Sequence, residues 1–215
     1  MKIFLDSADV EAIRKASATG LVDGVTTNPA KLAVVGKPFT EVVREICGIV
    51  PGPVSVEAIG DTADELVNHA EQIAALAPNV VIKLPMTVEG LKAVPALETD
   101  KDIRVNVTMI FSSTQAYLAM KSGASYVSIV LSRLDAYGSE SDILVQDAVT
   151  IKRNYGYASE IIAGSVKTQN HVLSCLRAGV DIATVPESLF FQLFQHPLTD
   201  AGLVEFAEAW EKVPK

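Results

Sequence analysis

A (β/α)8 TIM barrel with an extra C-terminal helix is the fold class this sequence predicts, on three observations. Short apolar runs of strand length alternate with amphipathic helical stretches eight times within 215 residues, the pattern of parallel strands joined by helical crossovers. So many βα units in so short a chain leave room only for a compact barrel with few insertions. No GxGxxG turn follows the first run, which weighs against the alternative, a doubly wound open sheet. One domain is expected over residues 1–215, its last helix at about 199–213.

The elements read in order. Ile3–Asp6 is a strand and Ala8–Ala18 a helix; Val25–Asn28 is the second strand, with Pro29 placed to open the next element. Phe39–Ile49 has helical periodicity, and Val54–Ala58 is the third strand. Asp61, followed by Glu65 and apolar positions through Leu76, predicts a capped helix. The fourth strand begins at Val80 and holds Lys83, and a helix over Thr87–Leu97 comes after it. Val105–Ile110 and Tyr126–Leu131 are the fifth and sixth strands, with helices over Thr114–Lys121 and Ile143–Arg153. Ile161–Ser165 and Ile182–Val185 complete the set, each with a helix behind it. In the final helix Leu203, Phe206, Ala207, Trp210 and Val213 share one face. That face covers either the chain's own barrel or a neighbouring subunit, and the pattern leaves both open.

Composition narrows the function. A formal net charge of −8 argues against nucleic acid and anionic membrane as partners. No apolar run is long enough to span a bilayer. Met1–Leu5 is interrupted at once by Asp6, Asp9 and Glu11, unlike a signal peptide, so a cytoplasmic setting is expected. Cys47 and Cys175 have no CxxC spacing and are expected to be two reduced, buried thiols.

Val80-Val81-Ile82-Lys83-Leu84-Pro85-Met86-Thr87 carries the chemistry. Lysine rarely sits in a buried strand without a partner. Burial disfavours its ammonium form, and a neutral amine in an apolar pocket can attack a carbonyl carbon. The same stretch also fits a lysine whose stem packs while its head reaches water. The other strand ends favour the reactive reading. They carry Asp6, Asn28, Glu57, Asn106 with Thr108, Ser128 and Ser165, where barrel enzymes place their active sites. Asn106 and Thr108, two apart, are expected to point together into the barrel mouth.

His69, His171 and His196 are too dispersed for a ligand cluster, so no metal is expected, and no motif requires a nicotinamide, flavin or pyridoxal cofactor. Arg133 after the sixth strand, with Gly164-Ser165-Val166-Lys167 after the seventh, forms a candidate phosphate pocket. The competing reading pairs Arg133 with Asp135 or Glu140 and leaves Lys167 solvated.

Phe4-Leu5-Asp6, Gly24-Val25-Thr26-Thr27-Asn28-Pro29, Val81 to Thr87, Asn106-Val107-Thr108 and Ser132-Arg133-Leu134-Asp135 resemble the transaldolase family, in its short microbial branch that also holds fructose-6-phosphate aldolase. The resemblance implies a barrel that forms a Schiff base with a ketose phosphate, in homo-oligomeric rings of five or ten subunits whose C-terminal helix reaches a neighbour. Carried over, Lys83 looks like the Schiff-base lysine and Asp6 the acid/base at the C4 hydroxyl. Glu57 and Thr108 resemble the pair that activates a water. Asn28, Asn106 and Ser128 match positions that bind the three-carbon unit's hydroxyls, and Arg133, Ser165 and Lys167 match the phosphate site. The aldolase branch tends to have Gln at Glu57, Gly-Thr-Ala at Asn106-Val107-Thr108 and Tyr at Val130, so this chain sides with transaldolase. It departs from transaldolases at Ile129-Val130-Leu131-Ser132, where Pro-Phe-Val-Gly is usual, at Lys167, often arginine, and at Phe111-Ser112-Ser113, where Asn-Pro is usual. The expected activity is transfer of a dihydroxyacetone unit between sugar phosphates. The alternatives are an aldolase releasing dihydroxyacetone and, remotely, a non-catalytic sugar-phosphate-binding barrel.

Overall fold

A computed structural model describes residues 1–214. In chain order it contains β1 (Lys2–Asp6), α1 (Val10–Ser17), β2 (Gly24–Thr26), α2 (Pro29–Ala33), α3 (Phe39–Ile49), β3 (Val54–Glu57) and α4 (Ala63–Ala74). Next come β4 (Val80–Pro85), α5 (Val88–Glu98), β5 (Val105–Ile110), α6 (Ser113–Lys121), β6 (Tyr126–Val130), α7 (Leu131–Ala136) and α8 (Ser141–Tyr155). The chain ends with β7 (Glu160–Gly164), α9 (Gln169–Ala178), β8 (Ile182–Val185), α10 (Glu187–Gln192) and α11 (Pro197–Trp210). Every strand pairs parallel with the next, and Lys2–Leu5 against Ile182–Val185 closes the barrel.

The strands' period of two makes two cores. Side chains facing out, such as Val54, Val56, Ile82, Leu84, Val107 and Val127, are buried against the helices in one large cluster. Side chains facing in make a second, smaller cluster of Phe4, Val81, Tyr126, Ile162 and Ile182 inside the barrel. This packed plug leaves no open pore.

Local chemistry moves some predicted boundaries. The cap of α4 is Thr62, not Asp61: its hydroxyl accepts the Glu65 N–H while Glu65 accepts the Thr62 N–H, a reciprocal capping box. Hydrogen bonds from the Asp61 and Thr62 N–H groups hold the Glu65 carboxyl below the usual carboxylate range. Strand β2 ends at Thr26, because Asn28 turns away to accept the Lys31 N–H at 2.9 Å and cap α2. Ser165 falls just past β7, with φ +55°. Cys47 is only half-buried while Cys175 is buried; both are free, and burial pushes their thiols up to about 11 and about 12.

The final helix rules out one of the two readings its pattern leaves open. Helix α11 buries no residue, and Leu203, Phe206 and Trp210 are 61%, 73% and 71% exposed. It is not a lid over its own barrel. No helix among the described residues is long and apolar enough to cross a membrane.

Candidate active site

The C-terminal strand ends open into a cavity of about 670 Å³ lined by Asp6, Asn28, Glu57, Lys83, Thr108, Ser128, Arg133, Ser165 and Lys167. Nine of the ten predicted site residues therefore meet there. The tenth, Asn106, lies one layer below. It is fully buried, donates from Nδ2 to Ser55 Oγ at 3.1 Å and accepts from Ser128 Oγ at 2.7 Å. It does not point into the mouth beside Thr108; it sets the hydroxyl of Ser128, which does line the cavity.

Lys83 is placed by its strand. Val81 and Lys83 face inward on β4, so the amine stands directly above the apolar plug. Glu57 is its pairing partner on β3 and Asn106 its partner on β5. The ammonium nitrogen donates to the Thr27 carbonyl at 3.1 Å. Burial lowers the Lys83 pKa below its ordinary 10.5; Glu57 and Asp6 oppose that shift, and the positive charges of Arg133 and Lys31 add to it. An amine so placed loses its proton more easily than an exposed lysine, and the carboxylates of Asp6 and Glu57 line the same cavity.

The rim is built by strained backbone. Strand β5 breaks register with β6 between Val107 and Ile110, and Met109 takes φ +62°. The irregularity leaves Thr108 facing in while Met109 turns to the rim, its sulfur 3.8 Å from Arg133 Nη1. Ser165, the second strained residue of the lining, has its carbonyl held by the Ser132 hydroxyl at 2.5 Å and the Ser132 N–H at 3.3 Å. Each such non-glycine conformation costs about 1–3 kcal/mol and clusters at functional sites.

The alternative pairing of Arg133 does not form. Asp135 accepts the Ser141 N–H at 3.0 Å and lies 3.1 Å from His171 Nε2. His171 Nδ1 in turn accepts the Lys167 N–H at 3.3 Å. Among the described residues, neither Arg133 nor Lys167 has a carboxylate within 4.0 Å. Two cations without carboxylate partners beside a serine at one edge of a cavity have the chemistry to hold an anion.

Sequence reasoning missed several lining residues, among them Thr26, Lys31, Met109 and Thr184. Thr26 and Thr184 share a buried hydroxyl–hydroxyl hydrogen bond of 2.7 Å across the β2–β8 gap. A lone polar residue inside the apolar run Ile182–Val185 is the same signal that marked Lys83, and it could have been read. Met109 reaches the rim only through the bulge, which no sequence pattern announces.

Comparison with known proteins adds a family. The profile described as Transaldolase/Fructose-6-phosphate aldolase matches residues 3–215. A "Probable transaldolase" of Geobacter metallireducens is 52% identical over 215 residues, covering 100% of both chains. Proteins of the same description from Myxococcus xanthus and Aquifex aeolicus are each 50% identical, covering all of this chain and 96% and 99% of theirs.

Proposed function

We propose that this chain, which belongs to the transaldolase/fructose-6-phosphate aldolase family, moves a dihydroxyacetone unit from a ketose phosphate to an aldose phosphate through a Schiff base on Lys83. The observation that carries this reading is a buried, easily deprotonated amine in one cavity with two carboxylates and two unpaired cations.

The neutral Lys83 amine attacks the keto carbon of a sugar such as fructose 6-phosphate or sedoheptulose 7-phosphate. Glu57 and Thr108 hold the water through which protons reach the carbinolamine oxygen, so that it departs as water and leaves a protonated imine. Asp6 then takes the proton of the C4 hydroxyl. The C3–C4 bond breaks, its electron pair flows into the imine, and an aldehyde leaves while the three-carbon unit stays on Lys83 as an enamine. An incoming aldose phosphate accepts that unit, Asp6 returns its proton to the new hydroxyl, and hydrolysis frees Lys83.

Ser128 and the Asn28 amide bind hydroxyls of the three-carbon unit, while Asn106 acts through Ser128. Arg133, Ser165 and Lys167 hold the phosphate at the far edge. Lysine at 167 binds it as a point charge where arginine would offer a fork. The exposed apolar face of Leu203, Phe206 and Trp210 supports a homo-oligomer in which α11 covers a neighbour; a ring of five or ten subunits rests on the family resemblance. A cytoplasmic setting suits sugar-phosphate chemistry.

Product analysis tests the activity. With fructose 6-phosphate and erythrose 4-phosphate together, sedoheptulose 7-phosphate and glyceraldehyde 3-phosphate are expected. Free dihydroxyacetone as the main product, with or without the acceptor, would instead make the enzyme an aldolase.

A further inference from the structure

Six charged side chains line the cavity, and the mechanism above uses Asp6, Glu57, Lys83, Arg133 and Lys167. The sixth, Lys31, has no role in it. Its backbone is fixed by the short helix it sits in: Pro29 opens α2, and Asn28 takes the Lys31 N–H on both its side-chain and main-chain oxygens, at 2.9 and 3.1 Å. From there the side chain crosses to the end of β1. Nζ donates to the Asp6 main-chain carbonyl at 2.7 Å and stands 3.4 Å from the Asp6 carboxylate oxygen Oδ2. One ammonium thus grips both ends of the same residue. Unlike Arg133 and Lys167, its charge is already engaged, which argues against a second phosphate site.

We propose that Lys31 is a positioning residue for proton transfer at Asp6, a role that rests on the Schiff-base reading above. Asp6 ends its strand, and a carboxylate there has two rotatable bonds with which to miss its target. Its job is to meet one hydroxyl during cleavage and the matching oxygen during transfer, so misorientation counts in both half-reactions. The same segment also fixes the nucleophile, because the Thr27 carbonyl accepts from Lys83 Nζ at 3.1 Å. Residues 27 to 31 therefore set the amine and the acid/base relative to each other, and Lys31 supplies the half that reaches Asp6.

The test compares wild type, Lys31→Met and Lys31→Arg, using borohydride trapping on Lys83 with fructose 6-phosphate and steady-state transfer to erythrose 4-phosphate. Helix α2 buries no side chain, so the fold is expected to survive, and undiminished trapping reports an intact site. In Lys31→Met, trapping stays at the wild-type level, KM for the donor moves by less than about twofold and kcat falls about 10- to 100-fold, the scale of an ångström-sized misplacement. Lys31→Arg recovers most of the lost kcat. An unchanged kcat in Lys31→Met overturns the proposal, as does a KM increase at unchanged kcat, which would make Lys31 a substrate anchor. Trapping lost in step with turnover also overturns it, since Lys31 would then serve Lys83. Absence of trapping in wild type removes the Schiff-base reading itself, and this role with it.

Discussion

The two ends of this barrel are made from the same strands and treat charge in opposite ways. At the N-terminal end, carboxylates accept from main-chain N–H groups and from neighbouring side chains. Asp23 accepts the Ile3 N–H at 2.8 Å, Glu98 accepts the N–H groups of Val105 and Ser125 at 2.7 and 2.6 Å, and Asp181 accepts the Ile161 N–H and Lys152, each at 2.7 Å. Above them lies the apolar plug. One pleat further up, Val81 gives way to Lys83, Tyr126 to Ser128, Ile162 to Gly164 and Phe4 to Asp6. There the polar groups have open faces toward the cavity, and two cations have no carboxylate partner among the described residues. One end is satisfied and holds strands in place. The other keeps unmet demand for a ligand, and that demand marks the site.

Substitutions at the two ends should therefore separate activity from stability. The largest effect belongs to Lys83→Met, which is expected to keep the fold by circular dichroism but lower turnover by about 10³-fold or more, roughly 4 kcal/mol of barrier. Near-wild-type turnover would refute the lysine's role. Its counterpart in the plug, Ile162→Ala, empties a fully buried site and should lower unfolding free energy by about 2–5 kcal/mol in urea titration, with kcat per folded molecule unchanged. A comparable fall in kcat would show that the two ends are not separable. Arg133→Ala should raise KM for phosphorylated ketoses about 10- to 100-fold, in line with roughly 1.5–3 kcal/mol for a charged hydrogen bond. An equal loss on unphosphorylated ketoses would count against a phosphate site.

The lowered Lys83 pKa gives a subtler prediction. Below it the buried ammonium destabilises the folded state, so Lys83→Met should be the more stable protein there. Between the folded pKa and 10.5 the unfolded chain holds a proton that the folded chain has released. Wild type therefore gains stability relative to Lys83→Met as pH rises through that window. Urea midpoints against pH would read this, and a difference that does not vary with pH would contradict it. Last, chelators should have no effect on rate, because each step runs through an imine and side-chain proton transfers.

Much of this was legible because buried parallel strands and amphipathic helices have different periods, and because a charged residue such as Lys83 in an apolar strand is conspicuous. What was not legible depended on neighbours in space. Thr62 rather than Asp61 caps α4 because its hydroxyl and the Glu65 carboxylate close a reciprocal pair. Asn106 belongs to the layer below the cavity because Ser55 on β3 and Ser128 on β6 take its amide. Lys31 gave no signal, since a lysine in a short exposed helix looks solvated until Asp6, 25 residues away in sequence, is brought to it. The face of Leu203, Phe206 and Trp210 fits either the barrel or a neighbour by pattern alone, and its exposure rules out the first.

The position at which a ketose becomes covalently attached is the most direct test of a Schiff-base barrel. Fructose 6-phosphate with borohydride, followed by digestion and mass spectrometry, should place a reduced three- or six-carbon adduct on Lys83 and on no other lysine. Recovery of unmodified Lys83, or an adduct on Lys31 or Lys167 instead, would contradict it.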